Sequence, residues 1–252
     1  MTDQFRVDLH VKVLDERVVA RAKRRGLDAL VYAPHFTRLP DVRETAARYS
    51  DDDLLVVPAR EVFTGDWRHR KHVLAVGLDD PVPDFVTLAG AMAELDRQDA
   101  AVLVPHPEFL TVSLDEADVR AYADVVDAVE AYNPKHWPRH NRRAQDIVEA
   151  TGKPAFTSSY AHLRGTVGEA WTAFKEPLAD EAELVAALRD GLPRRVFHRP
   201  GRSHRLRCAA EFAHLGYENS AKKFDRVVLS GMEPTHPGRP AYEGRFDAVR
   251  VD

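Results

Sequence analysis

The chain has 252 residues, of which 44% are hydrophobic and 30% are charged. This composition is ordinary for a water-soluble globular protein, and the length suits one catalytic-size domain. The formal net charge of −4 at pH 7 gives no overall attraction to nucleic acid or to anionic membranes.

The single cysteine, Cys208, excludes an internal disulfide framework and a zinc site built from cysteines. We therefore expect a reducing, cytoplasmic environment. The first residues, MTDQFRVD, lack the basic and apolar regions of a signal peptide. No apolar stretch approaches the roughly 18 residues of a membrane span, so no membrane association is expected.

Short apolar runs alternate with stretches of helical spacing along the first two thirds of the chain. The apolar runs predict seven strands, at 5–10, 28–33, 54–59, 72–78, 101–106, 125–133 and 154–159. The intervening stretches predict helices at 16–26, 41–50, 85–99, 114–122 and 139–152. This alternation is typical of an α/β fold with parallel strands.

The pattern changes beyond about residue 165. It predicts a helix at 179–191, a short strand at 194–198 and a helix at 203–218. The Pro/Gly-rich stretch 232–246 is expected to be irregular and to pack on the preceding structure. We therefore predict a barrel over residues 1–178 with a C-terminal extension over residues 179–252.

Histidine or glutamate side chains recur at the ends of these predicted strands. They are His10, His35, Glu61, His72, His106 and His162. In a barrel of alternating strands and helices, such strand ends share one face, so these side chains can meet in one polar site. Neutral imidazoles with a carboxylate are the ligands that borderline divalent cations such as zinc require.

The strand-end motifs resemble the PHP superfamily, named for polymerase and histidinol phosphatase, over roughly residues 5–175. The motifs read DLHVK, VYAPH, AREV, HVLAVG, VPHPE and SSYAH, the last followed by GTVGEAW. VEAYN with NRRA downstream also matches the sixth-strand segment of the family. The resemblance implies a distorted (β/α)7 TIM-like barrel that binds up to three divalent metals.

The mapped ligands fall into two groups. The resemblance implies that Glu61, His72 and His106 bind one metal, with Glu61 bridging, and that His35 and His162 bind another. Taken singly, each histidine is more often a hydrogen-bonded barrel residue than a ligand. Their joint placement favours the metal site.

Three positions depart from the family pattern. Lys12 replaces the second histidine of the first strand, Pro34 replaces an aspartate, and Tyr160 replaces an aspartate ligand. Asp15 could partly replace an aspartate that normally follows the first strand. We therefore expect one or two divalent metals (zinc, manganese or ferrous iron), with the Lys12 ammonium in place of a further cation, paired with Glu61 or with Asp8.

The resemblance implies metal-assisted hydrolysis of a phosphoester, in which a cation activates water and polarises the phosphoryl group. Lys12 and Arg60 are candidates to stabilise charge on the phosphoryl oxygens, and Tyr160 is a candidate for acid catalysis or for packing. Lys135 and Arg139 follow the sixth strand and are candidate phosphate-binding residues. The remaining histidines are expected at the surface, although His136 and His140 could approach the site.

Three functions stay open. The favoured one is a phosphatase or phosphodiesterase acting on a small phosphorylated substrate, such as a sugar, amino-alcohol or nucleotide phosphate, or on an oligonucleotide. Lys12, Pro34 and Tyr160 favour instead a non-catalytic or regulatory PHP-fold protein with an eroded metal site. Another barrel metal hydrolase, such as an amidohydrolase, is disfavoured because Lys12 breaks the first-strand His-x-His motif. The sequence does not indicate the oligomeric state.

Overall fold

The structure, a computed structural model, describes residues 4–66, 69–109, 112–199, 203–217 and 231–251, together with residues 220, 224 and 228. The described strands are β1 (Phe5–Val11), β2 (Ala29–Tyr32), β3 (Leu55–Thr64), β4 (Lys71–Val76), β5 (Ala101–Val104), β6 (Ala128–Tyr132), β7 (Ala155–Thr157), β8 (Ala170–Phe174) and β9 (Arg194–His198). The described α-helices are α1 (Glu16–Arg25), α2 (Leu39–Tyr49), α3 (Leu88–Arg97), α4 (Glu116–Ala121), α5 (Pro138–Thr151), α6 (Glu181–Arg189) and α7 (His204–Tyr217). Within these ranges, every helix is too short or too polar to cross a membrane. The last residue of the helix predicted at 203–218 lies outside the described residues.

Local sequence signals explain where the helices begin and end. α1 begins after Asp15, whose carboxylate accepts a hydrogen bond from the backbone N–H of Val18 at 2.8 Å. It ends at Gly26, whose left-handed backbone (φ 71°) allows its N–H to cap the last carbonyls of the helix. α5 begins at Pro138, which suits the first turn because that position needs no N–H donor.

The described strands form one sheet in the order β7-β6-β5-β4-β3-β2-β1-β8-β9. β1, β2 and β3 run parallel to one another, as do β5, β6 and β7. The ends of the sheet approach each other, because the Thr172 hydroxyl in β8 exchanges hydrogen bonds with the backbone of Thr157 in β7. The predicted α/β barrel is therefore confirmed as a nearly closed, barrel-shaped sheet.

The prediction that all strands run parallel is wrong for β4. In addition, β8 was not predicted as a strand. β4 is antiparallel to both β3 and β5. Only residues 65–70 join β3 to β4, and this is too short for the helical crossover that a parallel pair needs. β8, antiparallel to β1 and β9, falls in the GTVGEAW region that was not assigned a strand. The direction of β4 matters for function, because its first residues lie at the same barrel edge as the last residues of β3.

The apolar core forms two main layers. Alternating residues of the strands fill the barrel interior, where α6 adds Leu184 and Leu188. A second layer lies between the sheet and helices α3 to α5, and it includes Tyr242 and Phe246 from the C-terminal stretch. The division of the chain at residue 178 remains a prediction.

Candidate metal centre

Glu61 is the focus of the polar site. Val57 and Ala59 of β3 pack in the barrel interior, and strand alternation places Glu61 next on the same face. Its carboxylate is completely buried. Because an ionised carboxylate is costly to bury alone, the groups around it determine what this site can bind.

Three histidines approach the Oε1 atom of Glu61. His106 Nε2 lies at 3.0 Å, His72 Nδ1 at 3.4 Å and His10 Nε2 at 3.7 Å from it. They come from three elements: His10 from β1, His72 from the start of β4 and His106 from the segment after β5. His72 reaches the site because β4 is antiparallel, so that it pairs directly with Phe63 of β3.

The other carboxylate oxygen, Oε2, has a different set of partners. Lys12 Nζ lies 2.5 Å away and also donates a hydrogen bond to the carbonyl of Ala33 at 2.6 Å. His35 Nε2 lies at 2.9 Å, and its ring packs edge-on against His162 at 5.3 Å between centroids. The two oxygens of Glu61 thus face two distinct environments, one of histidines and one dominated by an ammonium group.

Lys12 therefore pairs with Glu61 and not with Asp8, the alternative partner that was expected from the sequence. Asp8 accepts hydrogen bonds from the backbone N–H groups of Ser159 (2.8 Å) and Gly168 (2.9 Å). The pairing of β1 with β2 is irregular between Asp8 and Val11, which adds one residue to β1. Irregularities of this kind re-aim the side chains that follow them, here Lys12.

Burial alone would raise the pKa of Glu61, but Lys12 and then His10 outweigh it and hold that pKa well below its usual range. The carboxylate is therefore ionised. Burial has the opposite consequence for the imidazoles: it lowers the pKa of His72 to about 4 and the pKa of His10 well below its ordinary value. Neutral imidazoles and an ionised carboxylate are the forms that bind a metal.

Several buried ring nitrogens have no hydrogen-bond partner among the described residues. Around the Glu61 centre they are both nitrogens of His10, both nitrogens of His72, Nε2 of His162 and Nε2 of His136. Buried polar atoms are usually paired, so a cluster of unpaired ring nitrogens, one lone pair in each neutral ring, needs an explanation. A divalent cation supplies one, and the residues present therefore fit the metal that the sequence implies.

Hydrogen bonds on both sides fix the His106 ring beside Glu61. Nδ1 of His106 lies 3.0 Å from the Ser113 hydroxyl, which also contacts the carbonyl of Phe109 at 3.0 Å. Nε2 hydrogen-bonds Glu61 Oε1 at 3.0 Å, and the ionised carboxylate is the acceptor. The backbone N–H of His106 also donates to buried Glu130 at 2.7 Å. Outer partners of this kind fix the ring orientation of metal-binding histidines.

Glu61, His72 and His106 together form a set suited to one ion. One potential ligand atom from each lies within 4.8 Å of the other two, and all three residues are buried. Within the described part of the chain, no other group of three His, Cys, Asp or Glu side chains converges in this way. Three protein ligands with room for a further one are typical of catalytic zinc sites.

Three residues of this centre have strained backbone, as do Phe85, Asp99, Glu108 and Glu243 elsewhere among the described residues. Phe36, His106 and Tyr160 adopt left-handed backbone conformations, with φ values of 50°, 36° and 48°. For residues other than glycine, this conformation costs on the order of 1–3 kcal/mol and is frequent at functional sites. The strain supports assigning function to the same barrel edge.

Arg60, a candidate to assist catalysis, is placed away from the histidine cluster. Arg60 neighbours Glu61 in β3, so strand alternation sends its side chain to the opposite face. There its buried guanidinium pairs with Asp84 at 3.0 Å and donates to the carbonyl of Thr37. Arg60 therefore has a structural partner outside the histidine cluster.

Arg139 and Asp15 are also placed away from the cluster. Arg139 is exposed at the start of α5, where its guanidinium lies over the Trp137 ring at 4.9 Å. A phosphate-binding role at the Glu61 centre is therefore not supported for Arg139. Asp15 caps α1, and its replacement of the family's aspartate remains a prediction.

Tyr160 and Lys135 do lie at the centre. The Tyr160 ring packs against those of His10 and His106, with centroids 5.0 and 5.1 Å away. Lys135 binds the Tyr160 carbonyl and the Glu211 carboxylate. Burial lowers the pKa of Lys135, while Glu211 opposes that change. The catalytic role of Tyr160 and the phosphate-binding role of Lys135 remain predictions.

Sequence reasoning did not identify Glu211. This buried carboxylate on α7 binds Lys135 and the Thr166 hydroxyl and accepts from the backbone N–H of Leu163 at 3.1 Å. It therefore fastens α7 over the strand ends. The sequence contains a signal for this buried carboxylate, because Glu211 lies between alanines and a phenylalanine in an otherwise apolar helical turn.

A cavity of about 310 Å³ opens onto the cluster. Its walls come from several barrel loops and from α7. The lining residues are His35, Phe36, Phe63, Arg70, His72, Phe109, Val112, Lys135, His136, Tyr160, Glu211, Phe212, Leu215 and Gly216. His136, considered a surface residue or a neighbour of the site, belongs to this wall, and burial lowers its pKa to about 2.

Comparison with known proteins agrees with this fold. Residues 138–192 match a family model described as PHP-associated. No curated protein sequence matches the chain. Solved structures of similar fold include PsfC from Pseudomonas syringae PB-5123, with a TM-score of 0.61 and 19% identity over 85% of this chain and 99% of that one.

Two further structures are similar. A protein from Bifidobacterium adolescentis, proposed to be a metal-dependent phosphoesterase, has a TM-score of 0.52 and 14% identity over 74% of this chain and 96% of that one. The lesion-specific endonuclease PfuEndoQ from Pyrococcus furiosus has a TM-score of 0.51 and 14% identity over 77% of this chain and 58% of that one. At these identities the likeness shows the fold alone.

Proposed function

We propose that this chain is a PHP-type metal-dependent hydrolase of phosphate esters; the match of residues 138–192 to the PHP-associated family model supports the proposal. The observation that carries the proposal is the convergence of Glu61, His72 and His106 beside a cavity that His72 lines, with buried imidazole nitrogens left unpaired. The descriptions of two similar structures, a proposed phosphoesterase and an endonuclease, support the same reaction class.

Glu61, His72 and His106 would hold the metal. When bound, a divalent cation supplies Lewis-acid polarisation of a phosphoryl oxygen and activation of water near neutral pH. We propose one cation at this set. The Lys12 ammonium, 2.5 Å from the other oxygen of Glu61, would repel a further cation at that oxygen.

The chain's own residues have distinct parts in this proposal. Lys12 keeps Glu61 ionised and holds its carboxylate in one orientation by also binding the Ala33 carbonyl. Its ammonium adds positive charge where charge develops on phosphoryl oxygens. Tyr160 excludes water from one side of His10 and His106 by packing against both rings.

Lys12 also favours the second candidate function, a non-catalytic PHP-fold protein. An ammonium group bonded to the central carboxylate is what an eroded metal site would contain. The two candidates differ in one measurable property, which is metal-dependent turnover.

The test is hydrolysis of p-nitrophenyl phosphate and bis(p-nitrophenyl) phosphate by purified protein before and after treatment with a chelator. We expect the chelator to abolish hydrolysis and zinc, manganese or ferrous iron to restore it, because the Lewis acid supplies several kcal/mol of transition-state stabilisation. His69→Ala is the matched control, since the His69 side chain is 82% exposed and lies outside the cluster. Metal binding without turnover on either ester would favour the non-catalytic candidate.

A further inference from the structure

The wall of the cavity at the metal centre is rich in aromatic rings. Phe36 and Phe63 pack together with centroids 4.7 Å apart, and Phe63 lies against His72 at 3.9 Å. Phe109, also in this wall, stacks on His136 at 3.9 Å with nearly parallel rings. A leaving group in this cavity would therefore contact ring faces and edges directly beside a proposed metal ligand.

Helix α7 completes the apolar wall. Its residues Phe212 and Leu215 line the cavity, and the buried Glu211 between barrel and helix fixes their position through Lys135. Phe212 remains 44% exposed, so part of its ring is available to a ligand. The cavity is thus bounded by barrel rings on one side and by a helix on the other.

Most of the exposed surface of this wall is apolar, although half of its lining residues have polar side chains. Apart from histidines, its polar side chains are Arg70, Lys135, Tyr160 and Glu211, and Lys135 and Glu211 bind each other. The described lining contains no serine, threonine, asparagine, glutamine or aspartate side chain. Each hydroxyl of a sugar buried here without a partner would cost about 1–3 kcal/mol.

We propose that the substrates are phosphate monoesters whose leaving group is one apolar aromatic ring, such as a benzylic alcohol or a phenol. This inference rests on the proposed function and names its substrate class. A volume of about 310 Å³ suits a small ligand, and aromatic rings prefer the offset and edge-on contacts that such a wall offers. Sugar phosphates and nucleotides fit less well, because their ribose or polyol hydroxyls would lose water without gaining partners.

The test compares esters with leaving groups of similar intrinsic reactivity. We expect kcat/KM for benzyl phosphate to exceed that for ribose 5-phosphate and for adenosine 5′-monophosphate by at least about 100-fold with the metal-loaded protein. Phe212→Ala should lower kcat/KM for benzyl phosphate by roughly 10-fold and that for ribose 5-phosphate by a smaller factor, so that the preference between the two esters falls. Leu206→Ala is the matched control on the same helix, because Leu206 is 76% exposed and lies outside the cavity.

Two outcomes distinguish the proposed preference for aromatic substrates from the proposed phosphate-ester hydrolase function. Equal or faster hydrolysis of ribose 5-phosphate or the nucleotide would overturn the aromatic preference while the phosphoesterase function stands. Calorimetric binding of benzylphosphonate, with no hydrolysis of any ester, would overturn the function and leave the cavity's preference supported. Absence of both binding and hydrolysis would overturn both.

Discussion

Replacement of His72 by alanine or of His106 by asparagine is expected to reduce hydrolysis of p-nitrophenyl phosphate by at least about 100-fold. Each change removes one of the three groups that converge with Glu61, while both side chains lie at the barrel edge and outside the apolar core. Strand-end residues of this kind contribute more to function than to stability. Steady-state kinetics with the metal present at saturation provides the measurement.

The choice of asparagine at position 106 follows from the backbone. His106 has a φ of 36°, and asparagine tolerates this left-handed conformation better than alanine does. Circular dichroism and thermal unfolding show whether each variant is folded. Wild-type turnover by a folded variant would mean that the ligand assignment at that position is wrong.

Lys12→Met is expected to destabilise the metal-free protein by about 3–5 kcal/mol, because removing one partner of a buried ion pair leaves an uncompensated charge. Here the charge is that of Glu61, whose carboxylate has no solvent exposure. Glu61→Gln should likewise be destabilising, since it leaves the ammonium without its carboxylate. Urea unfolding of chelator-treated protein measures each free energy of unfolding.

The double variant Lys12→Met/Glu61→Gln distinguishes an ion pair from two independent residues. If the ion pair is real, the double variant recovers much of the free energy of unfolding lost in the single variants. The coupling energy is then larger than the deviation from additivity of roughly 0.3–0.5 kcal/mol that independent sites show. Lys12→His should in addition raise the amount of bound metal per chain, because it exchanges a repelling ammonium for a ligand. Unchanged stability in Lys12→Met and unchanged metal content in Lys12→His would make Lys12 a bystander.

The barrel was predictable from the sequence because its strands are marked by short-range patterns, whereas the grouping of the ligands came from the family resemblance. Apolar runs mark strands, and a histidine or glutamate at a strand end is visible in the sequence itself. The direction of β4 was not predictable from such runs, since it depends on the length of one connection. Its reversal is nevertheless what brings His72 to Glu61.

At individual residues, the differences between the expectations from the sequence and the structure also have specific causes. Arg60 was grouped with Glu61 because the two are adjacent in sequence, whereas strand alternation places adjacent side chains on opposite faces. Glu211 was missed because its partners, among them Lys135 and Thr166, are more than 40 positions away in the chain. Long-range partners of buried charges become visible only once the fold is known.

The most direct test of the metal centre is calorimetric titration of zinc into chelator-treated protein, with elemental analysis of the saturated sample. We expect one equivalent to bind in the wild-type chain, because only one described set of three ligands converges. His72→Ala should weaken this binding by at least about 10-fold, whereas His69→Ala should leave it unchanged. No binding to the wild-type chain, or equal binding to His72→Ala, would contradict the assignment of Glu61, His72 and His106 as the metal site.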